Sequence, residues 1–94
     1  MAITVVTYLA NSNDLAAIRS TTAPLLKKHG AVDVRLGFCY AGEHTFQKVV
    51  VTTYTDWAAF GMGQAIFDDP EFRDVFKGNS GDVQGRSVLV LEEV

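Results

Sequence analysis

The chain has 94 residues, of which 48% are hydrophobic and 20% charged, with two prolines and a net charge of −3. This composition argues against disorder, and eight scattered Lys and Arg do not make the basic face that nucleic-acid binding needs. The lone Cys39 excludes an internal disulfide and a cysteine zinc set, and fits a reducing compartment.

A compact chain of this mass exposes roughly 5,300 Å² against about 14,800 Å² unfolded, enough for one core with little to spare. So high an apolar share in so small a domain leaves two options: scattered surface hydrophobes, or a face covered by a partner. No basic leader precedes the first apolar segment, and no apolar run is long enough to cross a bilayer. The expectation is a cytoplasmic single domain over residues 1–94, with neither membrane nor nucleic acid as a partner.

Ile3 to Leu9 is rich in β-branched residues and predicts a first strand. Asn11-Ser12-Asn13-Asp14 is a run of helix-capping residues. Leu15, Ile18, Thr22, Leu25 and Leu26 then recur at helical spacing, with Lys27, Lys28 and His29 suited to the C-terminal end and Gly30 to the stop. Pro24 is expected to kink this helix or split it at Ala23.

Ala31 to Tyr40 predicts the second strand, with Val34, Leu36 and Phe38 on one face and Asp33, Arg35 and Gly37 on the other. Ala41 to His44 reads as a hairpin turn, and Thr45 to Thr55 as a third strand that is apolar on both faces. Asp56 suits the N-cap of a second helix carrying Trp57, Phe60, Gln64 and Phe67. Asp69 and Pro70 restart a helical segment with Phe72, Val75 and Phe76 as its stripe. Gly78 to Gly85 reads as a polar loop, and Arg86 to Val94 as a last strand with the apolar run Val88 to Leu91.

The order is β-α-β-β-α-β with a broken second helix, which is the ferredoxin-like α+β arrangement: a four-stranded antiparallel sheet with both helices on one face. An antiparallel sheet with a wet face alternates apolar and polar residues. The third and fourth strands do not, so the open face requires a cover, most simply a second copy of the chain.

The hairpin pattern GAVDVRLGFCYAGEHTFQKVVVTTYTDWAAF and the following AIFDDPEFRDVF resemble the dimeric α/β-barrel superfamily, near its antibiotic-biosynthesis-monooxygenase-like and NIPSNAP-like members. The resemblance spans almost the whole chain through loose motifs. It implies two sheets closing face to face as a homodimer, and a pocket in each protomer between sheet and helices. It also implies a chemistry: cofactor-independent oxygenation, isomerisation or cyclisation of an aromatic or polyketide-like substrate. The alternative is a non-catalytic module that binds a small ligand or serves assembly. Haem-degrading members combine an Asn on the first strand, a Trp on the second helix and a ligating His further on. Trp57 is present, but the first strand has no Asn and Phe72–Gly78 no His, so no haem is implied, nor any other cofactor or metal.

The residues implied as ligand-binding are Tyr8, Arg35, Tyr54, Trp57 and Phe60, each with a plainer reading as a core aromatic or, for Arg35, an ion pair with Asp33. The candidate proton-transfer groups are His29, His44 and Tyr40. Their plainer readings are a cation on a helix C-terminus, an exposed turn and an interface aromatic. Gly61 and Gly63 are costly inside a helix and predict close packing, an irregularity, or room for a ligand. Neither GMGQAI nor Gly78–Gly81 has the context of a nucleotide loop.

Overall fold

The computed structural model describes residues 1–10, 14–76 and 83–94. Asn11 to Asn13 of the expected cap, Gly78 to Asp82 of the expected loop and the side chains of Val75 and Phe76 lie outside that description. The elements run β1 (Ala2–Leu9), α1 (Leu15–Lys28), β2 (Asp33–Phe38), β3 (Lys48–Tyr54), α2 (Trp57–Gly63), a 3-10 turn (Gln64–Asp68), α3 (Pro70–Phe76) and β4 (Val83–Leu91). The sheet order is β2-β3-β1-β4 with every neighbouring pair antiparallel, which is the ferredoxin-like arrangement. No helix among the described residues is long and apolar enough to cross a membrane.

Local chemistry sets the helix ends. Asp14 caps α1 by accepting from the Ala16 amide at 2.9 Å, and Asp56 caps α2 by accepting from the Ala59 amide at 2.8 Å. Gly30 stops α1 in the left-handed region, φ 100°, where its amide and that of Ala31 satisfy the last-turn carbonyls of Lys27 and Leu26. Asp69 begins α3 by accepting from the Glu71 amide at 2.9 Å, with Pro70 in the first turn.

Three expectations are corrected. First, α1 runs unbroken through Pro24 rather than splitting at Ala23; flanking turns and packing on the sheet hold the helix across the missing hydrogen bond. Second, the β2–β3 connection is longer than a four-residue turn. It spans residues 39–47 and is closed by the Cys39 amide on the Gln47 carbonyl at 2.8 Å and the Phe46 amide on the Cys39 carbonyl at 2.6 Å. Phe46 takes φ 66° to make that bend, and Cys39 falls in the loop rather than mid-strand, its thiol donating to the Ala41 carbonyl at 3.3 Å. Third, the bounds of the last strand differ: β4 begins at Val83, inside the expected polar loop, and ends at Leu91, short of Val94.

The strand register divides the residues between two faces. Ile3 faces Tyr54, Val5 faces Thr52 and Thr7 faces Val50 across β1 and β3. Val88 and Arg86 continue those rows on β4, and Val34 and Leu36 continue them on β2. On this face the helices close two small cores. One is Ile3, Val5, Ala31 and Tyr54; the other is Leu9, Ile18 and Val50; Leu26 and Val34 touch both. The opposite face carries Thr4, Val6 and Tyr8 of β1, Val49 and Val51 of β3, and Leu89 and Leu91 of β4. Leu89 and Leu91 remain 43% and 51% exposed there.

Candidate functional site

Between the sheet and the helices lies a cavity of about 370 Å³, within the range of small-molecule sites. The sheet contributes Thr7, Val50, Thr52 and Tyr54, and α1 contributes Ile18, Thr22 and Leu26. Gly63, Gln64, Ile66, Phe67 and Phe72 close it from the second helical segment, while Val83 and Arg86 form its β4 side. The wall is mostly apolar, with three threonine hydroxyls, a phenol, an amide and a guanidinium as its polar groups.

Tyr54 is the buried anchor. It ends β3, is 3% exposed, and projects onto the last turn of α2. The glycine at 63 is what lets it do so: a Cβ there would lie 2.7 Å from Tyr54 Cε1 and 3.1 Å from its hydroxyl oxygen. Phe60 meets the Tyr54 ring edge to face at 5.8 Å, and Trp57 meets Phe60 in the same way at 5.6 Å. Burial raises the Tyr54 phenol above its ordinary pKa, with the nearby Arg86 charge and a hydrogen bond with Thr52 pulling the other way. The phenol is therefore protonated at neutral pH. Arg86, exposed on β4, holds its guanidinium 5.6 Å from the centroid of the Phe67 ring.

Of the residues singled out in the sequence, Tyr54 lines the cavity, and Phe60 and Trp57 form the aromatic file behind it. Trp57 is half exposed at the outer end of that file. The other five are placed elsewhere. His29 caps α1 and its Nε2 lies 2.7 Å from Asp69 Oδ2, with the His29 side chain 18% exposed. Lys28 adds a second contact to that oxygen at 3.2 Å. The His29 hydrogen bond, opposed by desolvation and aided by Lys28 and the Glu71 amide, holds the Asp69 carboxyl at about 2, below its ordinary 3.8. Arg35 pairs with Asp33 at 2.8 Å on the surface.

Tyr8 and His44 sit together on the open face. Their rings stack with centroids 4.1 Å apart, and His44 Nδ1 is 2.7 Å from Gln47 Oε1. Gly85 leaves room for the imidazole, since a Cβ there would lie 2.9 Å from its Cε1. Tyr40 is 80% exposed in the same loop.

Sequence reasoning passed over Arg86, Phe67, Phe72 and the threonines as site residues. The phase of the last strand carried the missing signal: Arg86 shares alternation with Val88 and Val90, and so faces the helices across from Thr7. Among the described residues no three His, Cys, Asp or Glu side chains gather as a metal site.

No protein-family model and no curated protein sequence matches the chain. Solved structures do. Protein Atu4242 from Agrobacterium tumefaciens, described as a NIPSNAP family protein with unknown function, superposes at a TM-score of 0.74 and 14% identity over 100% of this chain and 94% of that one. SnoaB, a cofactor-independent oxygenase from Streptomyces nogalater, matches at 0.60 and 15% identity over 99% and 95%. A dimeric ferredoxin-like protein from an uncultured marine organism matches at 0.61 and 18% identity over 98% of both chains. At such identities the likeness is one of fold: this chain has the ferredoxin-like fold shared by the NIPSNAP protein, the oxygenase and the dimeric protein.

Proposed function

We propose that this chain is half of a homodimeric barrel that binds a small apolar or aromatic molecule in the cavity between sheet and helices. The observation that carries the reading is the cavity itself, in which a few polar groups converge on an otherwise apolar space beside the buried Tyr54. The fold shared with SnoaB supports cofactor-independent oxygenation of an aromatic or polyketide-like substrate as the chemistry, with isomerisation or cyclisation as sister reactions. In that role Tyr54 donates a hydrogen bond, or a proton, to a substrate oxygen, and Phe60, backed by Trp57, braces the Tyr54 ring from behind. Tyr8, Arg35, Tyr40 and His44 lie on the open face or in the loop beside it, where a second copy would meet them.

The second reading is a binding module without catalysis. It is favoured by the placement of both histidines outside the described cavity lining: His29 is engaged by Asp69 and His44 by Gln47.

A panel of hydroxylated aromatics tests both. Compounds that raise Tm mark a ligand site, and oxygen uptake or product formation with those compounds supports the enzyme. Tyr54→Phe is then expected to lower turnover by about tenfold to a hundredfold with binding retained. Binding without turnover supports the module. No compound shifting Tm sinks the ligand site under either reading.

A further inference from the structure

Among the described residues the cavity wall holds one fully charged side chain, Arg86, and no Asp or Glu. Three other cations of the chain are paired: Lys28 with Asp69, Arg35 with Asp33 and Arg73 with Asp68. Arg86 forms no ion pair among the described residues, although the protein carries an excess of acids. Its guanidinium lies over the Phe67 ring, and Phe67 is itself braced edge to face by Phe72 at 5.7 Å. A cation–π contact engages the charge of a guanidinium without using its N–H groups as hydrogen-bond donors, and their fork matches a carboxylate with two parallel hydrogen bonds. With a net charge of −3 the protein as a whole repels anions, so an anion would have to be held by a local contact of this kind.

We infer that the ligand is an apolar monocarboxylate, its carboxylate on Arg86 at the β4 side of the cavity and its aryl or hydrocarbon body against Ile18, Leu26, Val50 and Ile66. The Tyr54 hydroxyl and the Gln64 amide line the same cavity and supply further polar groups. This rests on the cavity being a ligand site and adds the charge of its occupant.

Titration calorimetry on the full chain with 2-naphthoate and its neutral isostere 2-naphthamide separates the two claims. The expected result is that 2-naphthoate binds about tenfold tighter or more, and that Arg86→Gln abolishes the preference while the affinity for 2-naphthamide is unchanged. That unchanged affinity also shows the variant to be folded. Equal affinities in the wild type, or a preference that survives Arg86→Gln, overturn the inference and leave the cavity as a site for neutral ligands. Failure of both compounds to bind the wild type instead removes the ligand site on which the inference stands. If Arg86→Gln binds neither compound, wild-type salt dependence decides. Affinity for 2-naphthoate that falls across a ~tenfold rise in salt, while that for 2-naphthamide holds, supports the ion pair, and identical behaviour of the two overturns it.

Discussion

Two glycines two positions apart do different work. Gly61 has nothing within 4 Å of where a Cβ would stand, whereas Gly63 faces Tyr54 at 2.7 Å. Gly61→Ala should therefore stabilise the protein by about 0.5–1 kcal/mol through backbone entropy and helix propensity. Gly63→Ala should destabilise it by about 1–3 kcal/mol, because the Tyr54 ring must leave its rotamer or the helix must lift. Urea midpoints at constant m-value check the pair, and similar shifts for both would refute the packing account. The sequence marked both glycines as anomalous, but which one was needed depended on a register that brings Tyr54, a residue of β3, under α2. Asp69 makes a second prediction at this scale. Its carboxyl sits at about 2 in the folded protein against about 3.9 in an unfolded chain. A depressed pKa contributes stability that is complete above pH ~4 and is lost as the pH falls through that interval toward 2. Asp69→Asn keeps a helix cap but has no carboxyl to titrate. The stability of the wild type should thus fall more steeply than that of the variant between pH 4 and 2, and parallel curves would disprove the assignment.

The loop between β2 and β3 owes its shape to an element distant in sequence. Sequence patterning found all four strands and phased β2 and β3 correctly, because each has a face that must be buried, but it began β4 at Arg86 rather than Val83. It shortened the turn to Ala41–His44 because nothing local announces that Phe46 adopts φ 66°, or that His44 finds a seat on Tyr8 beside Gly85 of β4. Those contacts join three elements and have no periodic signature. The alternation of β4 places Arg86 on the helix face across from Thr7, but its contact with Phe67 in the 3-10 turn has no such signature. The seat can be tested alone. A methyl at position 85 would fall 2.9 Å from His44 Cε1 and Nε2, and the imidazole belongs to an exposed loop able to move. Gly85→Ala should displace the ring from Tyr8 at a cost of no more than about 1 kcal/mol. The upfield ring-current shift of the His44 imidazole protons in the wild type should then relax toward the random-coil position. A spectrum unchanged by the substitution would show that His44 is held by Gln47 and the loop instead.

For the molecule as a whole, the decisive feature is a sheet with helices on one side and apolar residues on both. Val6 and Val51 lie side by side at the middle of the open face, Tyr8 and Val49 flank them along the strands, and Leu89 and Leu91 stand exposed on β4. A chain this short has few apolar residues to spare for the surface, and such a patch on a folded monomer favours association. Closed two-fold pairing of the same face on two copies buries it without leaving a sticky remainder. Two measurements follow. The wild type should have about twice the monomer mass by light scattering at micromolar concentration, and its Tm should rise with protein concentration, because dissociation accompanies unfolding. Val51→Asp places a carboxylate at the centre of the proposed seam. The charge is solvated in a monomer and must be desolvated in a dimer, a cost of several kcal/mol that its cross-strand neighbour Arg35, already paired with Asp33, offsets only in part. Dimerisation should weaken by at least about a hundredfold, and the residual Tm should lose its concentration dependence. Val51 stands on the face away from the cavity, so a monomeric variant that still binds cavity ligands would separate assembly from recognition. A wild type that runs as a monomer of about 10 kDa, or a Val51→Asp protein that remains dimeric, would show that the open face is covered in some other way.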